Sequence, residues 1–233
     1  MDWKQIWKKK ARQHTPNDLS LEEILRVNGY DVKYAETDTR TIRRYVAGLI
    51  EKLGLEAGDH LLEVGCGAGA IALPMVENGI RVTGLDICEE LIEIAKKAMP
   101  DQEFLVAEAG NFDLEKKDFN AALSQGVFQF FDSEEYGIAA FLNMLDHVQP
   151  GGMVAVTDLL DKANERELME ERIRLLGEEE YRKKYVEPGL VHQFYHRDRF
   201  EDAAKGKCAK VWIERQFLEN ATASYKFNVF AVR

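Results

Sequence analysis

Three alternating glycines mark the segment EVGCGAG, which spans residues 63–69. An apolar run of strand length precedes this segment, and a stretch with helical spacing follows it. Glycines at alternate positions let the backbone pass closely over a ligand. The following helix would offer free N–H groups and a positive dipole end to the same ligand. The pattern therefore indicates a ligand-binding turn, with a purely structural tight turn as the alternative.

Asp86 ends the next apolar run, IRVTGLD, roughly 20 residues beyond the glycines. An acidic side chain at this spacing can accept hydrogen bonds from ribose hydroxyls. The glycines and Asp86 would both follow parallel strands at their carboxyl ends, which is where doubly wound sheets bind ligands. Asp86 could instead cap the helix EELIEIAKKA. The glycines are an independent signal, so they favour ribose binding.

Segments typical of strands and helices alternate between residues 60 and 158. The strand candidates are HLLEVG, IRVTGLD, EFLVAEA, FNAALSQGVFQFF and MVAVTDLL. The helix candidates between them are IALPMVENG, EELIEIAKKAM and YGIAAFLNMLDHV. This order predicts βαβ units with right-handed crossovers, and hence a doubly wound, mostly parallel sheet. The runs KVWIERQFL and SYKFNVFAV predict a C-terminal antiparallel hairpin, joined by the polar residues 219–222.

The remaining segments read as helical. Trp3, Ile6 and Trp7 lie on one face of an amphipathic N-terminal helix, opposite several lysines. Two more helices follow. The first is capped by Asp18 or Ser20 and ended by Asn28-Gly29, and the second runs from Thr41 to Leu53 and is closed by Gly54. We expect a single domain with four parts: an N-terminal helical lid (1–40), a ligand-binding core (41–158), a helical cap or insertion (159–205) and the hairpin (206–233). The third part could also be a simple solvated connection.

Composition excludes several classes of function. The 31 basic and 41 acidic residues give a net charge of −10, which disfavours a nucleic-acid partner, since phosphate binding needs clustered Lys and Arg. Cys66, Cys88 and Cys208 form neither a CxxC pair nor a metal-ligand cluster, and such a sparse set suits a reducing compartment. No apolar run reaches the ~20 residues of a membrane span, and the N-terminus has no signal-peptide pattern. These features predict a soluble, cytoplasmic protein.

Taken together, these motifs resemble those of the class I S-adenosylmethionine-dependent methyltransferases. LLEVGCGAGAIALPM resembles the first motif of the family, and VTGLDICEELIEIAKK resembles the second, with Asp86 as its ribose-binding acid. FLVAEAGNFDL resembles the third-strand motif, in which Glu108 matches the acid that meets the adenine amino group. FNAALSQGVFQFF and HVQPGGMVAVTD resemble the fourth and fifth strands. The resemblance covers about residues 60–158 and implies a seven-stranded sheet of order 3-2-1-4-5-7-6 with helices on both faces.

The resemblance implies S-adenosyl-L-methionine as the cofactor. Its contacts would come from Glu63, Gly65, Cys66, Gly67, Gly69, Asp86, Ile87, Glu108, Ala109, Ser124 and Gln125. The Gly65 carbonyl would lie near the cofactor's amino group, Ile87 on the adenine face, and Ser124 and Gln125 near the methionine end. Two features depart from the family pattern. Cys88 stands where a capping serine is common, and the fourth strand lacks the Asn-Pro-Pro-Tyr signature of many N-methylating enzymes, so DNA N-methylation is disfavoured.

Three residues of the segment VHQFYHRDRF are candidate catalytic groups: His192, Tyr195 and His196. Helical spacing would place both histidines on one face, but no third ligand lies near them in the sequence, so no metal site is predicted. Tyr30 and Tyr34 are lid candidates that could simply pack. The cofactor carboxylate could be met by Arg40, Arg43 or Arg44, which could equally form a solvated helix face.

Methyl transfer to an O or N nucleophile of a small molecule, by in-line displacement, is the function that the resemblance favours. An RNA or protein methyltransferase is the near alternative. An NAD-dependent oxidoreductase is a further one, since Gly65, Gly67 and Ala70 also satisfy G-x-G-x-x-G/A. A cofactor-binding protein without catalysis is the last. The sequence leaves open the acceptor, the use of a general base and the oligomeric state.

Overall fold

The computed structural model of the protein describes residues 3–13, 18–30, 37–115, 117–187 and 192–233. The helices are α1 (Trp3–Gln13), α2 (Leu21–Val27), α3 (Thr39–Leu53), α4 (Ala72–Glu77), α5 (Glu89–Ala98), α6 (Glu134–His147), α7 (Glu165–Leu176), α8 (Glu178–Tyr181) and α9 (Arg197–Ala204). The strands are β1 (His60–Val64), β2 (Arg81–Asp86), β3 (Glu103–Val106), β4 (Phe119–Gln125), β5 (Val148–Leu160), β6 (Lys210–Arg215) and β7 (Lys226–Val232). A π-helical turn, Arg182–Val186, continues α8.

The strands of the described residues form one seven-stranded sheet of order β3-β2-β1-β4-β5-β7-β6, which confirms the predicted order. Neighbours from β3 to β5 are parallel, whereas β7 runs antiparallel to both β5 and β6. In the register of β1 with β2, Val64 lies opposite Leu85. Gly65, which follows β1, and Asp86, which ends β2, are therefore neighbours at the same edge of the sheet.

Helices cover both faces of the sheet. Leu61 belongs to the buried cluster that packs on α2, α3 and α5, whereas the next residue, Leu62, belongs to the cluster that packs on α6 and α9. A strand that is buried on both faces reads as a continuous apolar run, as HLLEV does. None of the described helices has the length and apolar character needed to cross a membrane.

Helix ends follow the predicted signals closely. The Ser20 side chain accepts a hydrogen bond from the N–H of Glu23 at the start of α2, and Asn28 ends that helix. Asp38 caps α3, which therefore begins two residues before the predicted start at Thr41. Gly54 closes α3 in the left-handed conformation at φ +61°. Helix α4 begins at Ala72, one residue after the predicted start at Ile71, and ends at Glu77, two residues before the predicted end at Gly79.

The C-terminal hairpin is present, but its connection is longer than predicted. Strand β6 ends at Arg215, and residues 216–225 lead into β7. The connection begins early because the Gln216 side chain turns inward, where its Nε2 donates to Oδ1 of Asp158 at 2.8 Å. Leu218 is buried as well. Residues that the sequence pattern assigned to a strand are thus used to cover the sheet edge near Asp158.

Candidate active site

A cavity of about 690 Å³ lies at the carboxyl ends of β1, β2, β4 and β5. This volume is in the ~300–1,000 Å³ range of small-molecule sites. One side of the cavity, the strand end, consists of residues 63–67, 85–87 and 107–109. A second group of wall residues, the cap end, consists of Arg172, Lys184, Tyr185, His192 and Lys226 with Trp3 and Phe130. Helix α1 and the end of α2 supply further wall residues.

The glycine turn has backbone dihedral angles that are unfavourable for residues with a side chain. Gly65, Gly67 and Gly69 have φ values of +80°, +55° and +93°. A Cβ atom on Gly65 would collide with the Val127 side chain, and one on Gly67 would lie 2.7 Å from Nδ2 of Asn28. Two of the three glycines, Gly65 and Gly67, line the cavity. The backbone itself therefore forms this wall.

Asp86 joins the glycine turn to the start of α5. Its Oδ2 accepts a hydrogen bond from the N–H of Gly67 at 2.9 Å, and its Oδ1 accepts one from the N–H of Cys88 at 2.8 Å. Burial raises the pKa of Asp86, while these backbone hydrogen bonds act in the opposite direction. One oxygen thus orders the start of α5, as the capping alternative expected. The carboxylate also lies in the cavity wall, where ribose binding stays a prediction.

Glu63 is a buried carboxyl group in the cavity wall. Its side chain is 2% exposed, and Oε2 has no hydrogen-bond partner among the described residues. Burial, and secondly the charge of nearby Asp86, raise the pKa of Glu63 to about 8. The group is therefore mostly protonated at neutral pH, and a cationic ligand beside it would favour its ionised form.

The N-terminal segment closes over the glycine turn through Asn28. Its Oδ1 accepts from the N–H of Ala68 at 2.8 Å, and its Nδ2 donates to the carbonyl of Cys66 at 3.4 Å. Two residues further on, the Tyr30 hydroxyl donates to Oε1 of Gln125 at the end of β4. The sequence analysis treated Asn28 only as a helix end. Since Asn commonly ends helices, the local pattern held no sign of the second role.

The cap end brings together side chains from distant parts of the chain. Arg172 of α7 donates from Nη1 to Nδ1 of His192 at 3.1 Å. Lys226 of β7 binds both carboxylate oxygens of Asp158 at 2.9 Å, and both side chains are buried. Asp158 has the left-handed φ of +67° and lies where β5 shifts register against β7. The sequence did not identify Arg172, Asp158 or Lys226 as site residues. Arg172 and Lys226 belong to no motif, and Asp158 was noted only as the end of the segment that resembles the fifth strand.

Comparison with known proteins bears on the part of the chain that carries the strand end. The family model described as a methyltransferase domain matches residues 62–156. This match confirms the predicted resemblance to the class I S-adenosylmethionine-dependent methyltransferase superfamily. S-adenosyl-L-methionine is the cofactor of this superfamily, and the site offers groups that fit it: a cradle of glycines, the carboxylate of Asp86 and the unpartnered Oε2 of Glu63.

Similar proteins within the superfamily have diverse names. The S-adenosyl-L-methionine-dependent Diels-Alderase iccD of Talaromyces variabilis is 30% identical over 141 residues, which cover 54% of this chain and 44% of that protein. The malonyl-[acyl-carrier protein] O-methyltransferase of Enterobacter lignolyticus is 27% identical, over 50% of this chain and 45% of that protein. The chain spans about half the length of the curated relatives it matches.

A solved structure matches along the whole chain. It is the putative methyltransferase in complex with the Trm112 methyltransferase activator of Haloferax volcanii, with a TM-score of 0.66 and 13% identity, covering 100% of this chain and 98% of that one. At this identity the likeness shows the fold alone.

Most residues that the superfamily resemblance assigned to the cofactor lie in the cavity wall. These are Glu63, Gly65, Cys66, Gly67, Asp86, Ile87, Glu108, Ala109 and Gln125. The other two lie behind the wall. A Cβ atom on Gly69 would collide with Met99, and Ser124 is fully buried with no hydrogen-bond partner for Oγ among the described residues.

The three candidate catalytic residues are not brought together. His192 lines the cavity. Tyr195 is fully buried, and its hydroxyl donates to the carbonyl of Phe128 at 2.9 Å. His196 lies on the surface beside Glu134, 3.2 Å away. The prediction of a helical face shared by both histidines is wrong, because Tyr195 pairs with Asp161 in an extended segment and α9 begins only at Arg197.

The remaining candidates have varied positions. Tyr30 lines the cavity, whereas Tyr34 lies outside the described residues. Arg43 pairs with Glu77 and Arg44 with Glu219 on the outside of α3. Neither of these arginines lies in the cavity wall, and neither does Arg40. The solvated helix face that was weighed for them is the arrangement found here.

Proposed function

We propose that the chain transfers a methyl group from S-adenosyl-L-methionine to a small-molecule acceptor. The observation that carries the proposal is the pair of carboxyl groups at the strand end: Asp86, held by the glycine turn, and Glu63, whose Oε2 is unpartnered in the same cavity. The resemblance to the superfamily supports the cofactor. When bound, the sulfonium supplies its methyl group: the S–CH₃ bond breaks, a bond to the nucleophile forms, and the sulfur keeps the electron pair as a thioether.

The residues of the strand end would bind and orient the cofactor. Asp86 would accept hydrogen bonds from the ribose hydroxyls, while its bonds to Gly67 and Cys88 fix its orientation. Glu63 would accept a hydrogen bond from the cationic amino group of the cofactor. Because the Glu63 carboxyl group is buried and otherwise neutral, it would release its proton when it binds this cation. Ile87, Glu108 and Ala109 would surround the adenine. Held orientation of this kind supplies much of the rate of a displacement reaction.

The enclosure of the cavity supports a small acceptor. Trp3, Trp7 and Lys10 of α1 line it from one side, and the cap end lines it from another. Such walls leave room for a small molecule near Gln125 and His192. The net charge of −10 weighs against an RNA acceptor, which would need a basic groove.

Calorimetric titration with S-adenosylhomocysteine tests the proposal. We expect wild-type protein to bind it and Asp86→Ala to bind it about 10- to 100-fold more weakly, since a hydrogen bond to a charged group contributes ~1.5–3 kcal/mol. Asp59→Ala is the matched control, because Asp59 also accepts a backbone hydrogen bond but lies in an exposed turn before β1. Binding of NAD in place of S-adenosylhomocysteine would contradict the proposal and favour an oxidoreductase.

A cofactor-dependent cycloaddition is a second candidate, because the Talaromyces variabilis relative with 30% identity is named a Diels-Alderase. A Diels–Alder reaction joins a diene to a dienophile and consumes no methyl group. Measuring S-adenosylhomocysteine formed per molecule of product separates the two functions. One equivalent supports methyl transfer, and product without S-adenosylhomocysteine supports the cycloaddition.

A further inference from the structure

Cationic side chains from three elements converge on His192 at the cap end of the cavity. Arg172 comes from α7, Lys184 from the π-helical turn and Lys226 from β7. All three line the cavity, and all three lower the pKa of His192 by their positive charge, in addition to the larger effect of burial. Their convergence gives this end of the cavity a positive potential.

Carboxylates are distributed differently. At the strand end the cavity wall carries Glu63, Asp86 and Glu108. At the cap end Asp158 is bound by Lys226, and it also accepts from Gln216. Asp132, the remaining carboxylate among the wall residues that the structure describes, follows the turn Phe128–Phe130. Within the described wall, the cap end thus combines three cationic side chains with the carboxylate of Asp158, which Lys226 binds.

His192 is a hydrogen-bond donor towards the cavity. A guanidinium group can only donate, so Nδ1 of His192 accepts from Arg172 and carries no proton. The neutral ring therefore carries its proton on Nε2, and His192 lines the cavity. With Nδ1 occupied and Nε2 protonated, His192 is arranged to hold an acceptor oxygen rather than to remove a proton.

Aromatic rings pack around the His192 side chain. Trp3 stacks on His192 with ring centroids 4.8 Å apart and planes at 27°. Phe130 lies 5.7 Å from His192 and 4.7 Å from Trp3, and Tyr185 lies 5.3 Å from His192. We call Trp3, Phe130 and Tyr185 the aromatic wall. Such walls favour planar ligands, because aromatic pairs gain stability from stacked or edge-to-face contact.

We propose that the cap end binds a planar aromatic anion as the substrate of the enzyme. The ionised oxygen lies against Arg172, Lys184 and the Nε2–H of His192, and the ring lies against the aromatic wall. The role of the anion as a substrate rests on the proposed function. The existence of an anion-binding site rests only on the side chains of the cap end. Arginine and lysine beside aromatic rings offer both charge-assisted hydrogen bonds and a flat apolar surface.

The test is a titration of the protein, saturated with S-adenosylhomocysteine, with 2-naphthoate and with its neutral analogue 2-naphthamide. We expect naphthoate to bind at least tenfold more tightly than the amide. Arg172→Met and Lys184→Met should each weaken naphthoate about tenfold, as loss of a charge-assisted hydrogen bond does, and leave the amide unchanged. Lys184→Met keeps the test valid if the buried Arg172→Met variant does not fold.

Matched controls lie beside each residue. Lys183 neighbours Lys184 but is exposed and pairs with Glu179, and Arg166 lies on α7 but is exposed and pairs with Glu170. Lys183→Met and Arg166→Met should bind naphthoate like the wild type. If a control variant lost as much naphthoate affinity as the matching test variant, the proposal would be overturned, because the effect would then come from net charge alone.

Two further outcomes separate this proposal from the proposed function. If Arg172→Met weakens S-adenosylhomocysteine as much as naphthoate, the cations serve the cofactor's carboxylate and the anion site is overturned. If the protein binds no S-adenosylhomocysteine, the titration is repeated without it. Selective, Arg172-dependent naphthoate binding would then support the anion site while the proposed function fails. Equal affinity for acid and amide overturns the anion site in either case.

Discussion

The strand end and the cap end of the cavity are built by different means. The strand end is formed mainly by consecutive residues, the glycine turn at 63–67 and the segment 86–87, and its glycine wall is backbone. The cap end is formed by long side chains of residues 3, 130, 172, 184, 192 and 226, which come from separate elements. One end presents carboxyl groups and the other presents cations.

The contrast indicates how each end responds to change. A wall made of backbone depends on dihedral angles and close contacts, so a single methyl group at Gly65 disturbs it. A wall made of side chains depends on burial and charge pairing, so it responds most to loss of a partner. We therefore expect substitutions at the strand end to change ligand affinity first, and substitutions at the cap end to change stability or acceptor selectivity.

The largest effect is expected from Lys226→Met at the cap end. The substitution removes the partner of Asp158 and leaves that carboxylate buried. Breaking a buried ion pair in this way lowers the free energy of unfolding by about 3–5 kcal/mol, measurable by urea denaturation. Lys205→Met is the control, because its exposed pair with Asp202 is expected to contribute only about 0–1 kcal/mol. Similar small losses in both variants would contradict a structural role for the buried pair.

An intermediate effect is expected from Gly65→Ala at the strand end. Its φ of +80° costs an alanine about 1–2 kcal/mol, and the added Cβ collides with Val127, so the turn must move. Affinity for S-adenosylhomocysteine should fall at least tenfold by calorimetry. Gly54→Ala is the matched control, since φ is +61° there and no atom lies within 4 Å of its Cβ position. The control should lose stability but keep affinity, and loss of affinity in both would remove the distinction between the ends.

The smallest effect is a change in pH dependence on Glu63→Gln. The folded protein holds the Glu63 proton up to a pKa of about 8, whereas the unfolded chain releases it near the ordinary glutamate pKa of 4.5. The folded state thus binds more protons between these values, so stability falls as pH rises from about 4.5 to 8. Glu63→Gln should flatten this slope in urea midpoints and be the more stable variant at pH 8.

The same substitution sharpens the assignment of Glu63. Wild-type affinity for S-adenosylmethionine should rise with pH up to about 8, because the cationic amino group binds the ionised carboxylate. In Glu63→Gln this rise should disappear. A wild-type affinity that is independent of pH would show that Glu63 does not contact the cation, even if the stability slope changes as expected.

Much of the fold could be predicted because its signals are local. The alternation of apolar strands and amphipathic helices predicted a doubly wound sheet, and the resemblance to the methyltransferase superfamily implied its strand order. Ser20, Asn28 and Gly54 indicated helix ends. The errors have local causes as well. The pair His192 and His196 has helical spacing, but the segment is extended, and Tyr195 pairs with Asp161 just after β5. This tertiary pairing outweighed the spacing of two residues, which does not by itself specify a helix.

The amino-acid sequence alone determined the strand end, since a strand, a glycine turn and an acid after the next strand are each encoded by neighbouring residues and meet through simple strand register. Only the tertiary structure decided the cap end. Asp158 finds Lys226 across 68 residues, and Arg172 finds His192 across 20. Such contacts depend on how the cap and the hairpin fold back over the sheet, and no local periodicity specifies which charged side chains are thereby buried.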